Sequence, residues 1–273
     1  SRRPENCGVA LIVEFVDSHC HLNFHSYEQD IDAVLDRAAE SGVNHIIVPG
    51  LDLKTSREAL ELATRFEPVY AAIGVHPDEA DNFREQDSYA FEELLRHPKV
   101  VAVGEVGLDY YHKQDNKEKQ WHTLQFFIDL SRMYHLPLIL HSRESLSDLM
   151  MILFDSSSTA PAVELRGVFH AFEGNLTDAA KVIKNGFFIG AGGPITYKNA
   201  STKHEVFSKI NLNHFVLETD GPFLSPQRVR GTRNEPANIP IIAERLAELQ
   251  QCDIKVIADR TTSNAKKIFN WNN

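Results

Sequence analysis

Short runs of apolar, often β-branched residues recur along the chain, separated by segments whose apolar positions repeat every three or four residues. The runs 11–17 (LIVEFVD), 43–48 (VNHIIV), 69–75 (VYAAIGV), 100–104 (VVAVG), 137–141 (PLILH), 166–170 (RGVFH), 186–190 (GFFIG) and 214–218 (HFVLE) predict eight strands. Runs this short and this apolar suit parallel strands covered on both faces. Between them, Ile31, Val34, Leu35, Ala38 and Ala39 keep helical spacing, with Gly42 just beyond as a C-terminal cap. Ala59, Leu62, Ala63 and Phe66 make a second stripe. Trp121, Leu124, Ile128 and Leu130 make a third, on a helix over 117–134. Leu146, Leu149, Met150 and Leu153 make a fourth, and 238–251 and 253–269 read as two closing helices.

Eight β-α alternations in 273 residues point to a (β/α)8 TIM barrel of parallel strands, a single α/β domain over 9–273. Residues 1–8 are polar and read as an irregular extension. The rival is an open, doubly wound sheet, which usually carries a glycine-rich phosphate loop after its first strand. Here the first strand runs instead into Asp17-Ser18-His19-Cys20-His21.

Composition narrows the function classes. Apolar residues at 42% and charged residues at 24% describe a globular protein. No apolar run reaches the ~20 residues that span a bilayer, so no membrane association is expected. The N-terminus shows no signal-peptide pattern. Twenty-eight basic against 38 acidic side chains give a net charge of −10, a poor basis for wrapping duplex nucleic acid through many phosphate contacts. Cys7, Cys20 and Cys252 are sparse and odd in number, which is no disulfide framework and makes a reducing cytoplasm the expected setting. No feature implies an obligate protein partner.

The thirteen histidines matter through their positions. The residues just past the eight predicted strands are His19, Pro49, His76, Glu105, His141, His170, Ala191 and Asp220, with His21 two beyond His19. In a barrel these ends converge on one mouth, where active sites lie. His19, His21, Glu105, His141, His170 and Asp220 are all plausible metal ligands. In extended chain His19 and His21 share a face, which turns Cys20 away into packing. His25, His45, His97, His112, His122, His135, His204 and His214 fall off the strand ends and read as surface or packing residues, and Phe24, Phe126 and Phe127 as core.

The segments VDSHCHLNF, IGVHPDEA, VGEVGLDYY, LPLILHSRES, VFHAFEG, LETDGPFL and RNEPANI together resemble the TatD family of metal-dependent hydrolases, within the amidohydrolase superfamily. The resemblance runs from about residue 14 to the C-terminus. It implies a TIM barrel with two divalent ions, His19, His21 and Asp220 holding one, His141 and His170 the other, and Glu105 bridging. Zn²⁺, Mn²⁺ or Mg²⁺ would serve, with four imidazoles favouring the first two. The implied nucleophile is a bridging hydroxide, with Glu105 and Asp220 as the catalytic carboxylates and Asp220 shuttling the proton. Glu173 stands where the family usually has Ser, and Gly221 where it usually has Ala. Both departures lie beside ligands and bear on substrate choice.

The family includes DNases, so the leading expectation is a phosphodiesterase or deoxyribonuclease of the 3′ exonuclease type, acting on DNA ends or another phosphoester. The alternative is an ester or amide hydrolase, including one that deacylates aminoacyl-RNA, because the same fold hosts all these chemistries. His76, Arg143, Arg233 and Asn234 are the candidate substrate-binding residues, the two guanidiniums as phosphate clamps forming a positive mouth. Asp109 and Tyr110 line the mouth or brace the loop after Glu105. Glu218, one pleat below Asp220, reads as structural.

Overall fold

The computed structural model describes residues 13–154 and 165–271. Eight parallel strands follow one another around a single sheet in the order β1 to β8. They are β1 (Phe15–Asp17), β2 (Val43–Pro49), β3 (Val69–Ile73), β4 (Val100–Asp109), β5 (Leu138–Arg143), β6 (Gly167–Phe169), β7 (Phe188–Ala191) and β8 (Phe215–Leu217). The ends of β8 and β1 meet: Ser18 N donates to Leu217 O at 2.9 Å, and Asp220 N to His19 O at 2.8 Å. Helices α1 (Ile31–Glu40), α2 (Leu53–Arg65), α3 (Ser88–Leu95), α4 (Lys117–Tyr134), α5 (Leu146–Phe154), α6 (Leu176–Lys184), α7 (Ser201–Lys209) and α8 (Ile239–Gln250) alternate with the strands, and α9 (Ile254–Ile268) follows last. The chain is therefore a (β/α)8 TIM barrel.

Alternation along each strand divides the core in two. Val16, Ile47, Ala72, Ile139, Val168 and Val216 point inward and fill the barrel, with Ala265, Ile268 and Phe269 of the last helix region packed against them. Their neighbours, such as Ile46, Val48, Ala71, Ile73, Leu138 and Leu140, point outward into the layer beneath the helices. Burying each such Val or Ile stabilises the fold by roughly 1.5–3 kcal/mol. This two-sided burial explains why the strands read as continuous apolar runs.

Several expectations shift. The part of the first predicted strand at 11–12, and the extension 1–8, lie outside the described residues. β4 continues five residues past its predicted end at 104, because its register against β5 shifts between Val103 and Val106. That irregularity resets the alternation, so Glu105 sits within the strand and faces inward while Val106 and Leu108 face outward. The stripe assigned to α4 overreaches at Trp121, which is 37% exposed and donates its indole N–H to Tyr110 Oη at 2.7 Å. Among the described residues no helix is long and apolar enough to cross a membrane.

Candidate metal centre

The inward parity of the strands delivers the polar groups to the mouth. On β5, Ile139 fills the barrel, so His141 and Arg143 face the same way two and four residues on. Val168 leads in the same manner to His170, and Val216 to Glu218 and Asp220. His19 and His21 enter from the loop after β1, where His21 N donates to Gly221 O at 2.7 Å and so ties the two loops together.

These side chains converge. His19 Nε2 lies 3.2 Å from His21 Nε2. Asp220 Oδ1 lies 3.7 Å from the first, 3.5 Å from the second and 3.6 Å from His170 Nε2. Glu105 faces two ways: Oε2 is 3.3 Å from His19 Nε2, and Oε1 is 2.9 Å from His141 Nδ1 and 3.8 Å from His76 Nε2. Three overlapping groups with metal-ligand spacing result: His19–His21–Asp220, His19–Glu105–His170 and His76–Glu105–His141. The grouping differs in detail from the one the resemblance implies. His170 stacks on His19 with ring centroids 3.6 Å apart, and His76 takes the place beside His141.

The donor set fits a divalent cation. Two imidazole nitrogens held 3.2 Å apart leave room for only one proton between them, whereas lone pairs converging on a cation satisfy both. Nitrogen and carboxylate donors without thiolate suit borderline ions. Charge balance without a cation falls on the histidines. Burial disfavours the cation at His141, but hydrogen bonds to Asp109 and Glu105 outweigh it and raise its pKa to about 9. His170 rises to about 10, as Glu218 and Asp220 overcome burial. Burial also opposes ionisation of Glu105 and Asp220, yet the surrounding histidines hold both carboxyls below their ordinary range. His76 goes the other way, lowered to about 3 by burial and then by His141.

A second layer of carboxylates sets the ring orientations. Asp109, fully buried, lies 3.0 Å from His141 Nε2 and 2.9 Å from His112 Nδ1, and accepts from Tyr111 N and His112 N. Glu218 lies 3.2 Å from His170 Nδ1 and accepts from Ala171 N at 2.6 Å. Such partners fix the tautomer and direction of a ligating ring. Asp17 lies under the site, accepting from Thr219 Oγ1 at 2.6 Å and from His19 N at 3.2 Å, with burial lifting its pKa to about 7. Sequence reasoning passed over Asp17 and left Asp109 and Glu218 open as structural. The available signal for Asp17 and Glu218 was a carboxylate two residues before a strand-end ligand, His19 and Asp220; Asp109, four residues after Glu105, carried no such spacing.

The cavity above the centre measures about 590 Å³. His76 and Arg143 line it, and the Arg143 guanidinium sits 4.0 Å over the Tyr111 ring. Arg233 and Asn234 do not join them. Arg233 makes paired 2.7 Å bonds to Asp30 and packs over Tyr27. Asn234 is fully buried and donates to Thr219 O and Phe223 O, both at 2.7 Å, to pin the loop after β8. The mouth is therefore not the positive patch that two arginines would make: Arg143 is the one Arg or Lys among the described lining residues, beside Asp78, Glu79 and Glu173. Phe24 also departs from expectation, lying half-buried at the pocket wall rather than in the core. His112 likewise lines the pocket.

Residues 16–270 match the family described as TatD related DNase. The chain is 38% identical over 256 residues to the uncharacterized metal-dependent hydrolase YabD of Bacillus subtilis, covering 94% of this chain and 99% of that protein. It is 37% identical over 262 residues to the uncharacterized metal-dependent hydrolase YjjV of Escherichia coli, covering 95% and 99%. The crystal structure of YjjV, a TatD homolog, superposes with a TM-score of 0.89 over 95% of this chain and 99% of that one, at 35% identity. A TatD family hydrolase from Entamoeba histolytica gives 0.78 at 25% identity, over 93% and 97%.

Proposed function

The chain belongs to the TatD related DNase family, a metal-dependent hydrolase like its curated relatives, and from that premise we propose that the bond it hydrolyses is a phosphodiester at a nucleic-acid end, in the manner of a 3′ exonuclease. The observation that carries this reading is that Arg143 lines the same cavity as Glu105, whose two oxygens face different histidine sets.

In this reading two divalent ions would be held among His19, His21, His141, His170 and Asp220, with Glu105 as the carboxylate whose oxygens face the two histidine sets. When bound, the ions supply Lewis acidity and make water acidic enough to act near neutral pH. Asp220 Oδ1, kept ionised by the histidines around it, accepts the proton of the attacking water and returns it to the leaving oxygen. Asp109 and Glu218 keep His141 and His170 aimed inward. The Arg143 guanidinium, braced on Tyr111, grips two phosphoryl oxygens. His76, held neutral by its burial, completes the wall beside Glu105. Cys20 and Cys252, both free, agree with a reducing cytoplasm as the working compartment.

The test is a substrate panel on manganese- or zinc-loaded protein: single-stranded DNA, duplex DNA, a simple phosphodiester, an aryl ester and an aminoacyl-RNA. Turnover of the phosphodiesters, with Arg143→Ala losing about tenfold or more on them and much less on the aryl ester, supports the reading, since hydrogen bonds to charged groups are the stronger kind. Glu79 and Glu173 at the wall favour a substrate bearing an amine, and the aminoacyl-RNA arm tests that alternative. Turnover of that substrate alone would replace the phosphodiester reading.

A further inference from the structure

Two walls of opposite character face each other across the mouth. In the strand order β1 to β8, the loops after β1 and β8 lie opposite those after β4 and β5. The β4/β5 side carries Arg143 over Tyr111. The β1/β8 side carries Phe24 and Phe223. Phe24 stacks on His21 with ring centroids 4.7 Å apart, and Phe223 meets Phe24 edge-on at 5.8 Å and His21 at 6.3 Å. Phe223 is 51% exposed. A scattered exposed aromatic needs no explanation. This one is continuous with Phe24, abuts a metal-site histidine and forms part of the pocket wall.

We propose that Phe24 and Phe223 form a stacking shelf for the nucleobase beside the scissile phosphodiester, while Arg143 holds phosphoryl oxygens from across the mouth. This rests on the phosphodiester reading and adds what the substrate must carry. Proteins that bind single strands without sequence preference combine a basic groove with aromatic platforms. This pocket has the platform without the groove: Arg143 is outnumbered by Asp78, Glu79 and Glu173. Those carboxylates repel further phosphates within the ~8 Å reach of charge in physiological salt. Affinity must then come from the ring rather than from a run of phosphates, which selects a short single-stranded end. Stacking tolerates any base, so the preference is for a base and not for a sequence.

The experiment compares wild type, Phe223→Ala and Phe223→Tyr on the dinucleotide TpT and on an analogue in which a hydrogen replaces one base, with circular dichroism to check folding. We expect KM for TpT to rise about tenfold in Phe223→Ala, the scale of one base–aromatic stack, with kcat within about twofold and Phe223→Tyr near wild type. The base-less analogue should be poor for wild type and indifferent to the substitution. Saturation-transfer NMR with thymidine 5′-monophosphate, without added metal, gives a second readout: base protons should receive saturation from wild type and lose it with Phe223→Ala. Equal turnover of both dinucleotides, together with an unchanged Phe223→Ala, overturns the shelf. If wild type cleaves no phosphodiester, the functional reading falls, and the NMR result decides the shelf by itself: no saturation of base protons overturns it.

Discussion

Asp109 holds the outer nitrogen of His141: its Oδ2 lies 3.0 Å from Nε2, while the inner nitrogen, Nδ1, faces Glu105 at 2.9 Å. The ring is thus fixed from behind by a fully buried carboxylate that itself groups with Asp78 and His112 rather than with the three clusters that contain His19 or Glu105. Asp109→Asn keeps the shape and removes the charge. Metal affinity or activity should fall by about 10- to 100-fold, the usual cost of losing such a partner. Metal titration by calorimetry, with circular dichroism to confirm folding, checks this. An unchanged affinity would reduce Asp109 to a brace for the loop at Tyr111 and His112.

Arg233 should matter for stability and little for chemistry. It binds Asp30 through two 2.7 Å bonds and joins the loop after β8 to the start of α1. Arg233→Ala should lower Tm by about 2–4 °C with kcat close to wild type. The effect should depend on pH. Arg233 pulls the Asp30 carboxyl from 3.8 to about 2, so the pairing stabilises the fold fully above the ordinary carboxyl range and fades as pH falls through 2. Thermal melts at pH 7 and near pH 2 should show the gap between wild type and variant closing in acid. A kcat loss matching that of Arg143→Ala would instead return Arg233 to the substrate.

Gly190 on β7 lies against the Glu218 carboxylate, and a methyl group there would collide with both of its oxygens. Gly190→Ala should therefore push Glu218 away from Ala171 N and His170, and weaken metal binding from a residue that is itself no ligand. Elemental analysis of dialysed, folded protein should show metal lost relative to wild type. Full metal content would mean that Glu218 can move without disturbing His170.

The barrel and the set of strand-end ligands were legible because six of the eight apolar runs, all but those ending at Pro49 and Ala191, give way to a His, Glu or Asp. Less legible was anything that depends on a neighbour distant in the chain. Glu105 lies within β4 rather than after it, since a register shift against β5 extends the strand, and only pairing reveals a register. Arg233 looked available because its partner Asp30 is 203 residues away. Phe24 has a core residue's composition and a pocket residue's position, a distinction made by Phe223 and the fold of the β8 loop. Asp109 and Glu218 were visible as carboxylates near ligands, but their roles follow from which ring nitrogen each one faces.

Metal content tests most directly the proposal that Glu105 would serve two cations at once. In that proposal Glu105→Ala would remove an oxygen from both positions together with a negative charge that offsets their repulsion. His141→Ala removes one neutral ligand, which water can replace. Elemental analysis of dialysed, folded protein should find metal well below two per chain in Glu105→Ala, and the first position near full occupancy in His141→Ala, with steep loss of activity in both. Two metals per chain retained by Glu105→Ala would contradict the claim and require the site to be redrawn around the histidines and Asp220.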